Sequence, residues 1–142
     1  MTDPIIVLRK LMILREHLGR ARARRPGSAA ELAADTLLQD AIAMSLFVAI
    51  QEAVDIAFHI VADEAWGIPG SYAEAFRILA DKGVIERTLL EPLEGCARLR
   101  NRIAHGYASV DAERVWEELP AGLSVLESFV EAVARLVEER ER

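Results

Sequence analysis

The chain has 142 residues, 52% of them apolar and 28% charged, with only eight glycines and five prolines; this excludes a disordered polymer and points to one domain, residues 1–142, with a proper hydrophobic core. A single cysteine excludes an internal disulfide and a cysteine-based metal site, and fits a reducing, intracellular setting. The net charge of −6 argues against indiscriminate nucleic-acid binding, although residues 1–27 carry seven basic and two acidic side chains, a local +5 that leaves −11 for the remainder.

The N-terminal MTDPIIVLRK lacks the basic-then-apolar order of a signal peptide. Pro4 suits a first helical turn, and a helix is expected from there to about Arg25. Its apolar residues, among them Ile5, Leu8, Leu11, Met12, Leu14 and Leu18, cover more than one face. A helix apolar on two sides touches two things, here its own core and a second subunit. RPGS at 25–28 ends it. The longest helical stretch is expected at about 29–65, where Leu38, Ile42, Leu46, Ile50, Val54, Phe58 and Val61 recur at spacings of four and three. Within it AIAMSLFVAIQ, 41–51, gives 11 uncharged residues before Glu52. About 18 are needed to span a bilayer, so a soluble, cytoplasmic protein with no membrane association is expected.

GIPGS at 67–71 breaks the chain, and Ser71 with Glu74 forms an S-x-x-E capping box that opens a short helix through about Asp81. Gly83 is a natural stop. A further helix is expected over about 84–105, with Pro92 and Gly95 bending or interrupting it. Asp111 is placed to cap a short helix ending at Leu119, and Pro120 to open the last one, where Leu123, Leu126, Phe129, Val133 and Leu136 keep helical spacing. No strand pattern, repeat or linker interrupts this. The fold class is all-α, a bundle of five to six helices.

The strip RNRIAHGY at 100–107 carries the candidate chemistry. Arginine presents a rigid fork of donors that matches phosphate oxygens, and histidine is the side chain whose unperturbed pKa lies near neutrality. Arg98, Arg100 and Arg102 make a compact basic island on an otherwise acidic stretch, which suits local phosphate recognition. Arg100 and His105 are five apart and diverge by about 140° on an ideal helix. They serve one site only if the helix is ending there or if two copies of the strip meet at a dimer axis. RNA supplies its own nucleophile, the 2′-hydroxyl, so one histidine and arginine-stabilised charge suffice for cleavage. His17, His59 and His105 stand in unrelated contexts, and neither a metal site nor a cofactor is expected. Read by itself, the strip is equally a helix end whose histidine favours the dipole and whose arginines are solvated.

The wider context resembles one family. RNRIAHGY matches the R-x4-H-x-Y strip of HepT-like toxins of the HEPN superfamily, and IQEAVDIAFHIVADEAWGIPGSYAEAFRILADKGVI at 50–85 is similar to the same branch. The likeness covers about residues 5–138. It implies a HEPN-type bundle with an up-and-down four-helix core, assembled as a homodimer with two strips facing each other. The implied activity is metal-independent endoribonuclease cleavage of RNA, as the toxin of a toxin–antitoxin pair. On that mapping Arg100 holds the phosphate, His105 handles the proton, Asn101 orients the site, and Arg98 and Arg102 contact RNA. Tyr107 falls on the tyrosine that a nucleotidyltransferase antitoxin modifies with AMP. Relatives often carry an acidic residue where this chain has Gly106. The competing readings are a non-catalytic module that binds a nucleotidyltransferase partner or a nucleotide, and a structural dimer whose strip is vestigial.

Outside the strip, Arg20, Arg22, Arg24 and Arg25 read as a solvated helix end or as an RNA or partner contact. His59 reads as a core histidine, Asp55 as a core pairing residue or part of the cleft, and Trp66, Trp116 and Cys96 as packing residues.

Overall fold

Side-chain caps open the first four α-helices and the last of the computed structural model, which describes residues 2–106 and 111–142. The elements are α1 (Pro4–Arg24), α2 (Ala29–Ala34), α3 (Thr36–Asp63), α4 (Tyr72–Asp81), a 3-10 turn at Arg87–Leu89, α5 (Leu90–His105) and α6 (Ala112–Glu141). Asp3 caps α1 by accepting from the Ile5 amide, with Pro4 at the first helical position. Ser71 caps α4 by accepting from the Glu74 amide, and the Glu74 carboxylate reaches back to the Gly70 amide at 2.8 Å. The capping box therefore closes one residue earlier than its usual form.

The expected 29–65 helix is two helices. Asp35 leaves the helical region (φ −117°, ψ 95°) and turns its side chain to the Leu38 amide, ending α2 and capping α3 at once. The expected break at Pro120 is absent: α6 runs through it. Proline 120 removes one hydrogen bond, the one that its amide would give to the Trp116 carbonyl four residues earlier. Arg25 replaces that donor. Its Nε and Nη2 lie 3.1 and 2.9 Å from the Trp116 oxygen, and its guanidinium lies 4.0 Å from the centre of the Trp116 ring. The Trp116 indole donates in turn to the Pro26 carbonyl at 2.9 Å. Neither the solvated nor the partner-contact reading holds for Arg25.

Pro92 falls in the first turn of α5, where it costs little, and the expected helix from 84 begins instead at Leu90 after the 3-10 turn. At the far end of α3, Ala65 adopts a left-handed conformation (φ 58°) while the Trp66 amide donates to the Val61 carbonyl at 3.0 Å. The end of α4 repeats this turn with Gly83 (φ 76°) and Val84.

The long helices α1, α3, α5 and α6 alternate in direction, an up-and-down four-helix core. Val7, Leu11, Leu14 and Leu18 of α1, the stripe Ile42, Leu46, Ile50, Val54 and Val61 of α3, and Leu123, Leu126, Phe129, Val133 and Leu136 of α6 are all buried in one cluster. α3 lies at its centre. By length and composition alone α3 would cross a membrane, with mean hydropathy 1.7 over 18 residues, but 56% of that stretch is buried against the other helices. The second apolar face of α1 is exposed, with Ile5 62%, Leu8 40% and Met12 69% accessible. One polar clasp joins three helix ends: Glu64, after α3, accepts from the Thr2 amide, the Thr2 hydroxyl and the Arg140 Nε at 3.1, 2.9 and 3.0 Å. Burial raises the Glu64 pKa, but these donors outweigh it and hold the carboxyl below its ordinary value.

Candidate functional site

Glu94, Arg98, Asn101 and His105 recur at spacings of four, three and four, a single stripe on α5. That stripe and the start of α4 line an open groove of about 520 Å³, whose walls include Ser71, Tyr72 and Ala73. Arg100 lies on the flank of the stripe and enters the same groove from the α3 side. The five-residue spacing that separates Arg100 from His105 on a helical wheel is bridged by the length of the arginine side chain and by His105 being the last residue of α5. Gly106 follows it with its amide on the Arg102 carbonyl at 3.0 Å and an extended backbone.

Arg100 is held on several sides. Its Nε donates to Gln51 Oε1 at 2.9 Å, and its Nη1 to Asn101 Oδ1 at 3.1 Å. The guanidinium lies 5.0 Å from the centre of the Phe47 ring and 5.9 Å from that of Tyr72. Tyr72 is itself set edge-on against Phe58 at 6.0 Å. Nη2 takes no part in these contacts. His105 is exposed and has no hydrogen-bond or ion-pair partner among the described residues.

The structure thus brings Arg98, Arg100, Asn101 and His105 to one groove. It places Arg102 elsewhere, on the rim of a separate 140 Å³ cavity between α3, α5 and α6, with Leu99, Arg114 and Leu119. Tyr107 lies outside the described residues. Among the described residues no three His, Cys, Asp or Glu side chains cluster as metal ligands. Cys96 is buried in the wall of the 140 Å³ cavity, and burial pushes its thiol up to about 11.

Phe47, Gln51 and Tyr72 are parts of the site that the sequence reading did not single out. A signal existed: Gln51, Glu52 and Asp55 are polar residues in the middle of an otherwise apolar helix, where each requires a partner. Asp55 finds Gln51 Nε2 at 2.8 Å and Lys10 Nζ at 3.7 Å. His59 is half-buried, its Nε2 3.1 Å from Asp63. At the basic end of α1, Arg20 pairs with Glu16 and Arg22 with Glu127.

Comparison with known proteins follows this geometry. The model of the family described as ribonuclease HepT-like matches residues 14–133. The mRNA nuclease HepT of Shewanella oneidensis is 26% identical over 128 residues, spanning 90% of this chain and 96% of that protein. The tri-AMPylated Shewanella oneidensis HEPN toxin, solved in complex with MNT antitoxin, superposes with a TM-score of 0.83 at 25% identity, over 95% of this chain and 99% of the toxin. YutE, a cytosolic protein of unknown function from Bacillus subtilis, shares the fold at 16% identity, with a TM-score of 0.84 over 98% of this chain and 93% of its own.

Proposed function

This chain belongs to the HepT-like ribonuclease family, and from that premise we propose that its single domain is a metal-independent endoribonuclease, the toxin of a toxin–antitoxin pair working in the cytoplasm. The observation that carries the proposal is the presentation of Arg100. Its Nε and Nη1 are bonded within the protein, its Nη2 has no bond among the described residues, and Arg100 lines a groove that it shares with His105. A fixed guanidinium with an unclaimed donor is suited to an anionic phosphate oxygen, and it needs no reorganisation as charge builds there.

In the proposed reaction the ribose 2′-hydroxyl attacks the adjacent phosphorus, the P–O2′ bond forms and the P–O5′ bond breaks. The products are a 2′,3′-cyclic phosphate and a 5′-hydroxyl. His105 transfers a proton, from the 2′-hydroxyl or to the leaving O5′. Arg100 carries the charge on the non-bridging oxygens, Asn101 steadies Arg100, and Arg98 extends the basic wall along the RNA. Arg102, on the other side of α5, enters only by way of a partner copy or a longer RNA path. The exposed face of α1 suits a homodimer that sets two such grooves near each other.

The family likeness supports a nucleotidyltransferase antitoxin as partner, since a relative is AMPylated and bound to its MNT antitoxin. Tyr107, two residues beyond His105, is the proposed acceptor. A tethered AMP there would set a phosphate beside Arg100 and a base in the groove, in competition with RNA. Tyr107→Phe is expected to keep cleavage and to abolish silencing by the partner; continued silencing removes Tyr107 from this role.

The test is RNA cleavage by AMP-free protein in EDTA, beside His105→Ala, with product ends analysed. Cyclic phosphate ends from the wild type alone support the mechanism. No cleavage by the AMP-free wild type refutes it in favour of a binding module.

A further inference from the structure

We infer that Gln51 is the positioning residue that aims Arg100, and that Asp55 and Lys10 fix the sense in which it acts; the catalytic consequence rests on the ribonuclease reading above. A guanidinium offers five N–H donors in a plane and accepts nothing. A side-chain amide presented to it is useful in one orientation only, oxygen inward. Turned over, its NH2 would set donor against donor.

Asp55 removes that ambiguity. An ionised carboxylate is an acceptor on both oxygens, so the end of Gln51 that faces it must be the NH2. Gln51 Nε2 donates to Asp55 Oδ1 at 2.8 Å, which leaves Oε1 for Arg100 Nε at 2.9 Å. Lys10, on α1, lies 3.7 Å from Asp55 Oδ2 and 3.6 Å from Glu52 Oε2, and sets a cation on the side of Asp55 away from Gln51. The chain of contacts Lys10–Asp55–Gln51–Arg100 crosses three helices and ends at the groove.

The choice of an amide at its last link has a chemical consequence. A carboxylate at position 51 would still accept from Arg100, but its second oxygen would lose the bond to Asp55, and as an ion pair it would offset the charge intended for phosphate. A neutral oxygen fixes direction and leaves the full positive charge. Phe47 and Tyr72, with ring centres 5.0 and 5.9 Å from the guanidinium carbon, crowd it without adding negative charge.

The experiment compares Gln51→Leu, Gln51→Glu and Asp55→Asn by single-turnover cleavage, and follows the Arg100 Nε–H resonance in each by NMR, assigned by its loss in Arg100→Lys. Gln51→Leu frees the guanidinium, and kcat is expected to fall about 100-fold with little change in KM, as for a catalytic group displaced by about an ångström. Gln51→Glu restores direction and costs charge: kcat within about threefold of wild type and KM raised about tenfold. Asp55→Asn lets the Gln51 amide turn over, and falls between wild type and Gln51→Leu. A staple that merely joined α3 to α5 would lower thermal stability and leave kcat and KM of the folded variants at wild-type values; that result overturns the inference. So does an Arg100 Nε–H signal that does not move in both Gln51→Leu and Asp55→Asn. The NMR arm reads the relay in protein that cleaves nothing, so a failure of the ribonuclease reading is told apart from a failure of this one. Should Gln51→Leu not fold, the opposite splits of kcat and KM in Asp55→Asn and Gln51→Glu still decide it.

Discussion

Among the described residues two arginines sit against aromatic rings, and they are used in opposite ways. Arg25 gives both Nε and Nη2 to one oxygen, the Trp116 carbonyl that Pro120 deprives of its amide. Its hydrogen-bonding capacity is turned inward, and it contributes to α6. Arg100 gives Nε and Nη1 to side chains on its flanks, lines the groove, and has no bond from Nη2 among the described residues. The same ring contact and the same fork make a helix repair in one place and the proposed phosphate site in the other. What distinguishes them is which donors the protein has already used.

The comparison is broken most directly by truncating each arginine. Arg100→Ala is expected to lower RNA cleavage by about 10²–10³, the range for removing a transition-state donor, with thermal stability little changed because α5 loses one flanking contact. His105→Ala, at an exposed helix end, should lower cleavage by about 10²–10⁴ with the same lack of effect on melting. Arg25→Ala should do the reverse. Cleavage per folded molecule is retained, and stability falls by about 2–3 kcal/mol, measured by urea unfolding, because a charge-assisted bond to a carbonyl is lost. Equal loss of activity in both arginine variants would remove the distinction.

A smaller effect sharpens the role of Arg25. Pro120→Ala returns an amide to the Trp116 carbonyl, so Arg25→Ala in that background should cost about 1 kcal/mol less than in the wild type. Strict additivity in this double-mutant cycle would show that Arg25 acts only through its stacking on Trp116.

A second inward-turned arginine, Arg140, meets a carboxylate rather than a carbonyl, and its contribution should therefore titrate. Glu64 is held below its ordinary value of 4.5 in the folded protein by hydrogen bonds from Thr2 and Arg140 that outweigh its burial. A depressed carboxyl favours folding above its unfolded pKa, and that contribution is lost as pH falls through the lower, folded value. Wild type and Glu64→Gln should differ by about 1.5–3 kcal/mol near neutral pH and converge in unfolding measurements below about pH 4. The Arg25→Ala difference should stay constant over the same range, since a carbonyl does not titrate.

Much of this was legible in the sequence because it depends on near neighbours. The heptads of α1, α3 and α6 mark the buried faces, and Ser71 with Glu74 marks the start of α4. The α2–α3 boundary was missed although Asp35 is a good cap, since the apolar residues on its two sides continue a plausible helix. Pro120 misled for a different reason: its compensation comes from Arg25, 95 positions earlier, and no local pattern reports it. The strip at 98–105 gave the residues that line the groove, but not that Arg102 faces away, nor the amide and rings around Arg100, which α3 and α4 supply. Periodicity assigns a side chain to a face; it does not say what stands opposite.

Cys96 adds a way to watch α5. Its thiol is buried one turn before Arg100, and burial pushes it up to about 11. In the closed protein it is both shielded and almost wholly protonated at neutral pH, so a slow alkylating reagent reacts only in the fraction of molecules in which α5 has lifted from the core, with many reclosings between reactions. The labelling rate, set against that of an unfolded peptide, converts to an opening free energy for the segment that carries Arg100 and His105. The chain thereby carries a single-site clock for breathing of α5, readable by mass without any introduced probe, and binding of RNA or of a partner to the groove should slow it.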